Sequence, residues 1–125
     1  MTHPIVELQA MLVAALRAAD LAVFDAPPSG APPPYLAIDR HDVAPRDGDA
    51  APGHEHRVSI HCWADTPSRK AALALAEQVL AVGLGPLGGA LVVTHAVHER
   101  TETAIDGETG LGRAAVVLRF CTEPA

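Results

Sequence analysis

Residues 55–65, Glu-His-Arg-Val-Ser-Ile-His-Cys-Trp-Ala-Asp, show the clearest secondary-structure pattern of the chain. Val58, Ile60 and Cys62 recur at every second position, and polar side chains stand between them. Successive side chains of a strand point to opposite faces, so the alternation predicts a β-strand over 55–64 with one buried and one polar face. The covering layer is therefore expected on the apolar side of this strand.

A helix is predicted directly after this strand, at about 67–82. Thr66 is of a residue type that caps helices, Pro67 suits a first helical position, and 71–82 is rich in Ala, Leu and Val. The glycines of 83–89 end the helix. They do not form a phosphate-binding loop, because the stretch lacks a Gly-Lys-Ser/Thr ending and follows a helix instead of opening one.

The remaining elements follow from periodicity and from proline and glycine. Apolar residues at helical spacing predict a first helix over 4–19. The prolines of 26–34 exclude helix and central strand, and the polar stretch 41–54 predicts a long mobile loop. The other predicted elements are a short extended piece at 23–24, strands at 35–40, 90–100 and 113–122, and a hairpin loop at 101–112.

This order of elements predicts an α+β fold, a mostly antiparallel sheet with two helices packed on one face. The length of 125 residues suits one domain spanning 1–125. Aromatic residues are only 3% of the chain, so the core consists of small aliphatic side chains, and apolar surface left over favours assembly with other subunits.

Charge and hydropathy exclude several classes of partner. The net charge of −6 argues against direct nucleic-acid recognition, which needs clustered Lys and Arg. No stretch approaches the roughly 20 apolar residues of a membrane span, and no signal peptide is visible. The two cysteines, Cys62 and Cys121, are expected to be buried free thiols, with a disulfide between neighbouring strands as the alternative. A cytoplasmic protein is predicted.

The seven histidines raise the question of a metal or catalytic site. His54 and His56 share a strand face, but His95 and His98 lie on opposite faces, and no third ligand has suitable spacing. Ser59 and His61 share a face without a third member of a triad. The histidines are therefore expected to face solvent on the sheet, and no catalytic residue, metal or cofactor is predicted.

The order of these elements resembles the tail-completion and tail-terminator family of long-tailed phages and gene transfer agents. The matching features run through the chain: the amphipathic helix 4–19, Val23-Phe24-Asp25 before the prolines, Pro34-Tyr35-Leu36-Ala37-Ile38, the strand His56-Arg57-Val58-Ser59-Ile60-His61-Cys62-Trp63, an Ala/Leu/Val helix, and a closing hairpin ending in Leu118-Arg119-Phe120.

The resemblance implies a structural protein and not an enzyme. Its subunits are expected to close into a ring, a hexamer, that caps the tail tube and offers a face to the head-tail connector protein. The expected partners are other copies of the chain, the tail tube protein and the connector, first in the cytoplasm during assembly and then in a phage-like particle.

The candidate contact residues combine charged strand positions with the hairpin loop. Arg57 and His61 are expected on the exposed strand face, and Trp63 is either an interface anchor or a residue closing the core edge. Glu102, Asp106 and Glu108 are expected to project from one rim and to touch a neighbour or the tube. Two alternatives stay open: a small ligand-binding or enzymatic α+β domain that uses the His-bearing sheet, and a dimeric adaptor.

Overall fold

A computed structural model describes residues 2–46 and 52–125 and shows two helices on one face of a five-stranded sheet. The strands lie in the order β1-β2-β3-β5-β4; β1 and β2 are parallel, and every other pair is antiparallel. The predicted α+β fold class is confirmed. The elements are α1 (Pro4–Ala18), β1 (Val23–Phe24), β2 (Tyr35–Pro45), β3 (His54–Trp63), α2 (Arg69–Gly83), β4 (Leu91–Ile105) and β5 (Gly112–Pro124).

The core lies between the helices and the apolar face of β3 and its neighbours. Val58, Ile60 and Cys62 are all buried, as their alternation predicts. They are paired across β5 with Leu118, Val116 and Ala114, which are equally inaccessible. From the helices, Leu8, Leu12 and Leu16 of α1 and Val79 of α2 pack against this face, and Phe120 of β5 is the largest of the fully buried side chains.

The helix starts differ from two of the predictions. In α1, Nδ1 of His3 accepts a hydrogen bond from the backbone N–H of Ile5 at 3.1 Å, and Pro4 stands in the first turn. In α2 the cap is Ser68, whose Oγ accepts from the N–H of Ala71 at 3.1 Å. The predictions that Thr66 caps this helix and that Pro67 is its first residue were wrong, because the helix begins at Arg69. The carbonyl of Thr66 accepts backbone N–H groups from Ser68 and Gly112.

The predicted loop 41–54 is shorter than expected. Residues 41–45 continue β2 and pair with β3 as far as Pro45 opposite His54, and the backbone N–H of Arg46 donates to the carbonyl of Gly53 at 2.8 Å. His41 and Val43 are partly buried, whereas Asp42, Ala44 and Pro45 are exposed, which is the alternation of a strand. The loop prediction is wrong for 41–45 and for His54, and residues 47–51 lie outside the described residues.

The predicted hairpin loop 101–112 is also shorter. β4 continues to Ile105, which pairs with Gly112, so the turn spans only 106–111. The β2–β3 and β4–β5 ladders contain three bulges, at Asp39, Thr94 and Glu99, whereas β3 and β5 pair without interruption. The irregularities are therefore confined to β2 and β4, the strands that flank the central pair.

Gly112 joins the hairpin to the segment before α2. Its carbonyl accepts from the N–H of Ala64 at 2.9 Å, and its own N–H donates to the carbonyl of Thr66 at 2.9 Å. A Cβ at this position would overlap the backbone of Ser68. Glycine is needed here because two backbone segments approach each other closely.

We expect Gly112→Ala to lower the free energy of unfolding by about 2 kcal/mol, because the added methyl must push rigid backbone aside. Gly107→Ala in the same hairpin is the matched control, since no described atom lies within 4 Å of the point that its Cβ would occupy. Urea denaturation of both variants measures the difference. Equal stabilities for the two variants would contradict the close approach.

Candidate functional site on the open face of the sheet

The sheet surface opposite the helices, here named the open face, carries most of the candidate residues. Arg57, Ser59, His61 and Trp63 lie on it along β3, in alternation with buried residues of the same strand. Both helices pack on the other side, so the charged residues of this face are in contact with solvent. An antiparallel sheet tolerates this arrangement when the exposed positions are polar.

An ion-pair network occupies the centre of the open face. Arg57 and Arg119 are direct neighbours across β3 and β5, and two like charges in that arrangement repel. Glu99 offsets this repulsion because its bulge brings the carboxylate 2.9 Å from Nε of Arg57 and 3.6 Å from Nε of Arg119. Glu55 lies 3.2 Å from Nη1 of Arg119. The hydrogen bond to Glu99 raises the pKa of Arg57.

Further charge pairs flank this network on both sides. Arg40 and Asp42 are 2.9 Å apart on β2, and Arg100 and Glu102 are 2.8 Å apart on β4. A cleft of about 390 Å³ lies between them, lined by Asp39, Arg40, Asp42, Arg57, Ser59, Glu99, Arg100 and Val117. Exposed pairs of this kind each contribute about 0–1 kcal/mol to stability, so their main effect is on the pattern of charge presented to a partner.

Trp63 lies on the open face, next to basic side chains, and not among the core residues under the helices. The guanidinium carbon of Arg113 lies 6.0 Å from the centre of its ring, and the ring of His61 is 6.5 Å away. Nε of Arg113 is buried and has no hydrogen-bond partner among the described residues. His61 itself lies 3.4 Å from Asp39, and burial lowers its pKa although that carboxylate opposes the shift.

The three acidic candidates have different surroundings. Glu102 belongs to β4, opposite Ala115, and not to a loop. Asp106 starts the hairpin turn, where its Oδ2 accepts from the N–H and the hydroxyl of Thr109 at 2.8 and 2.9 Å, which lowers the pKa of this carboxyl. Glu108 is exposed at the turn. The structure therefore groups Arg57, His61, Trp63 and Glu102 on one face and places Asp106 and Glu108 in the turn beyond it.

Three polar side chains, His41, His56 and Thr122, form a hydrogen-bonded chain on the helix side of the sheet, which the sequence analysis did not predict. His56 is fully buried, with Nδ1 2.9 Å from Nε2 of His41 and Nε2 3.0 Å from Oγ1 of Thr122. Burial lowers the pKa of His56 to about 4, and nearby His41, His54 and His3 oppose its protonation further. Burial also lowers the pKa of His41, whose buried Nδ1 has no partner in the described part of the chain. The expectation that His56 faces solvent was wrong.

The other histidines and the cysteines are spread over the two faces of the sheet. His95 and His98 lie on opposite faces, as predicted from their spacing. Among residues 2–46 and 52–125, no three His, Cys, Asp or Glu side chains are arranged to hold a metal ion. Cys62 and Cys121 are free thiols; burial raises the pKa of Cys62 to about 12, and Nη1 of Arg46 donates to Sγ of Cys121 at 2.8 Å. Two of the sheet histidines, His54 and His95, line a cleft of about 400 Å³ together with Arg46 and Cys121.

The family model of tail completion protein gp17 matches residues 6–123 of this chain. The protein belongs to the tail completion protein gp17 family. A search of curated proteins gives no sequence match. Members of this family are structural proteins and not enzymes, which confirms that prediction.

The tail completion fold also recurs among solved structures, of which 21 chains match this one. One belongs to the virion of a native gene transfer agent particle. It has 23% sequence identity to this chain and a TM-score of 0.80, and the match covers 98% of this chain and 99% of the other. At that identity the match establishes the shared fold. Within the described part of this tail completion protein, no helix is long and apolar enough to cross a membrane.

The buried histidine predicts acid sensitivity of this tail completion protein. An unfolded histidine takes up a proton near pH 6.5, whereas folded His56 does so only near pH 4. Between these values the unfolded state binds more protons, so stability falls as the pH falls, by up to about 3 kcal/mol from this residue.

We expect His56→Gln, which keeps hydrogen-bonding capacity without titrating, to lose less stability between pH 7 and pH 4 than the unmodified protein. Exposed His98→Gln is the control and should keep the original dependence. Urea denaturation across this pH range measures both. An equally steep acid dependence in the His56 variant would contradict the assignment.

Proposed function

We propose that this protein is the subunit of a closed homohexameric ring that caps the tail tube of a phage or a gene transfer agent and joins the tube to the head-tail connector protein. Its membership of the tail completion family supports a role at the end of a tail. The structural match to a chain of a gene transfer agent virion supports incorporation into a phage-like particle. Assembly takes place in the cytoplasm before the particle is complete.

The observation that carries this proposal is the charge balance of the open face. Five of its carboxylates, Asp39, Asp42, Glu55, Glu99 and Glu102, lie within 3.6 Å of an arginine or histidine nitrogen. The chain as a whole has a net charge of −6, so the excess negative charge lies away from this face. Self-repulsion between copies is therefore weakest here.

The open face supplies the contact residues of the ring. Arg57, His61 and Glu102 provide charges of both signs that set register and orientation, and Trp63 provides apolar area at the margin. Asp106 shapes the hairpin turn through its hydrogen bonds, and Glu108 is the exposed carboxylate that this turn presents at the rim. The partners are protein surfaces and not nucleic acid or membrane.

We expect light scattering over a range of concentrations, in solution or on purified tubes, to reveal closed rings of six 13.0 kDa chains, about 78 kDa. Exchanging Arg100 and Glu102 (R100E with E102R) keeps this internal pair but reverses the charges that a partner meets, so it should reduce ring formation about tenfold or more.

The control exchanges Lys70 and Glu77 (K70E with E77K), two exposed residues of α2 away from the open face, and should assemble normally. If the variant with exchanged Arg100 and Glu102 assembles fully, the open face is not the contact surface of the ring. A strict monomer at high concentration, together with no ring on tubes, would overturn the ring itself.

Replacing residues 106–111 by Asn-Gly should leave the fold intact, since Ile105 and Gly112 already pair and a two-residue turn can join them. Tail completion should fail, giving tails of uncontrolled length or heads without tails in electron micrographs. Thermal unfolding of the shortened protein is the control for folding. Normal particle yield would show that the turn is dispensable.

A further inference from the structure

A proline-rich arm projects from the β1 edge of the sheet. Residues 26–34 join β1 to β2, contain five prolines and carry no charge, and most of them are exposed. The backbone N–H of Ala31 donates to the carbonyl of Pro28 at 3.0 Å, and Gly30 has a φ of 79°, so the tip is a tight turn that requires glycine at this position. The rings of Phe24 and Tyr35 meet edge to face at 5.8 Å and fix its base.

A groove with a mixed polar and apolar lining lies at the other edge of the sheet, between β4 and the connector that follows α2, and includes Thr94 and His95. It has a volume of about 530 Å³, and among the residues that line it are Leu84, Pro86, Leu87, Val92, Val93 and Ala96. Leu84 and Val92, which are 42% and 47% exposed, are two of the four exposed large apolar residues in the described part of the chain, and the other two, Val6 and Leu73, lie outside this groove. Within the described ranges, no Asp, Glu, Lys or Arg side chain lines this groove.

We propose that the arm of one copy occupies this groove of the next copy in the ring, an inference that rests on the proposed function. Neither surface carries an Asp, Glu, Lys or Arg side chain among the described residues, and both expose apolar side chains, the prolines of the arm and Leu84 and Val92 of the groove. The two surfaces can therefore meet without desolvating a charged side chain. Proline restricts the arm before contact, which reduces the entropy lost on ordering it.

The contact has to be between copies and not within one. The arm and the groove are separated by the width of the five-stranded sheet, roughly 19 Å at the usual strand spacing. Two different surfaces at opposite edges make a head-to-tail contact, which generates a ring when the rotation closes. Pairing through strand edges is disfavoured, because the edge strand β4 has two bulges and the edge strand β1 is only two residues long.

The direct test is covalent capture. In a variant with Ser29→Cys at the tip of the arm and Val92→Cys in the groove, mild oxidation of assembled protein should give a ladder of disulfide-linked oligomers up to the full ring on a non-reducing gel. The control combines Ser29→Cys with Leu73→Cys, which is 41% exposed on α2 and outside the groove, and should give no ladder.

A second measurement does not depend on disulfide geometry. Leu84→Glu places a charge in the groove at an exposed position and should raise the concentration needed for half-assembly about tenfold or more, whereas Leu73→Glu should not. Thermal unfolding of both variants controls for folding.

The outcomes separate this contact from the ring. Rings that form without a ladder and are unaffected by Leu84→Glu overturn the arm contact and leave the proposed function standing. A ladder without closed rings supports the contact and overturns ring closure in solution. Absence of ladder, rings and capped tubes together overturns both.

Discussion

The uninterrupted pairing of β3 with β5 fixes which side chains face the helices and which face solvent. Every residue from His54 to Trp63 has a partner on β5, without a bulge. A slip of one residue would turn Val58, Ile60 and Cys62 to solvent and bring Arg57 under the helices. The apolar core on one side and the ion pairs on the other are therefore two consequences of one register, and neither can change alone.

The bulges on the flanking strands β2 and β4 place three side chains against the central strands. Each inserts a residue whose side chain contacts a neighbouring strand. Asp39 approaches His61 at 3.4 Å, Glu99 lies between Arg57 and Arg119, and the hydroxyl of Thr94 donates to the carbonyl of Cys121 at 3.2 Å. Without the Glu99 bulge, the two arginines would face each other uncompensated at the centre of the sheet. The same irregularities also disfavour pairing with foreign strands.

Sequence periodicity predicts the face that a side chain occupies but not what covers that face. Alternation alone separates the buried side of β3 from the side that carries Arg57 and Trp63. The same alternation places His56 on the buried side, two residues before Val58, and its polar residue type was wrongly taken to mean exposure. The polar partners that make this burial tolerable, His41 and Thr122, come from other strands. The strand over 41–45 was missed because none of its residues is fully buried and because Asp42 and Pro45 also suit a loop. Glu102 joins the open face through the length of β4, which the predicted hairpin loop had cut short.

The charge pattern restricts how copies of this protein can meet. Coulomb forces between exposed charges act over about 10 Å at 0.1 M salt, so surfaces that carry the excess negative charge repel one another before they touch. The open face and the groove beside β4 escape this repulsion for different reasons, since one has its charges paired and the other is lined by no charged side chain of the described residues. Long-range electrostatics therefore selects the orientation in which two copies approach each other. Close packing then determines how long each permitted contact lasts.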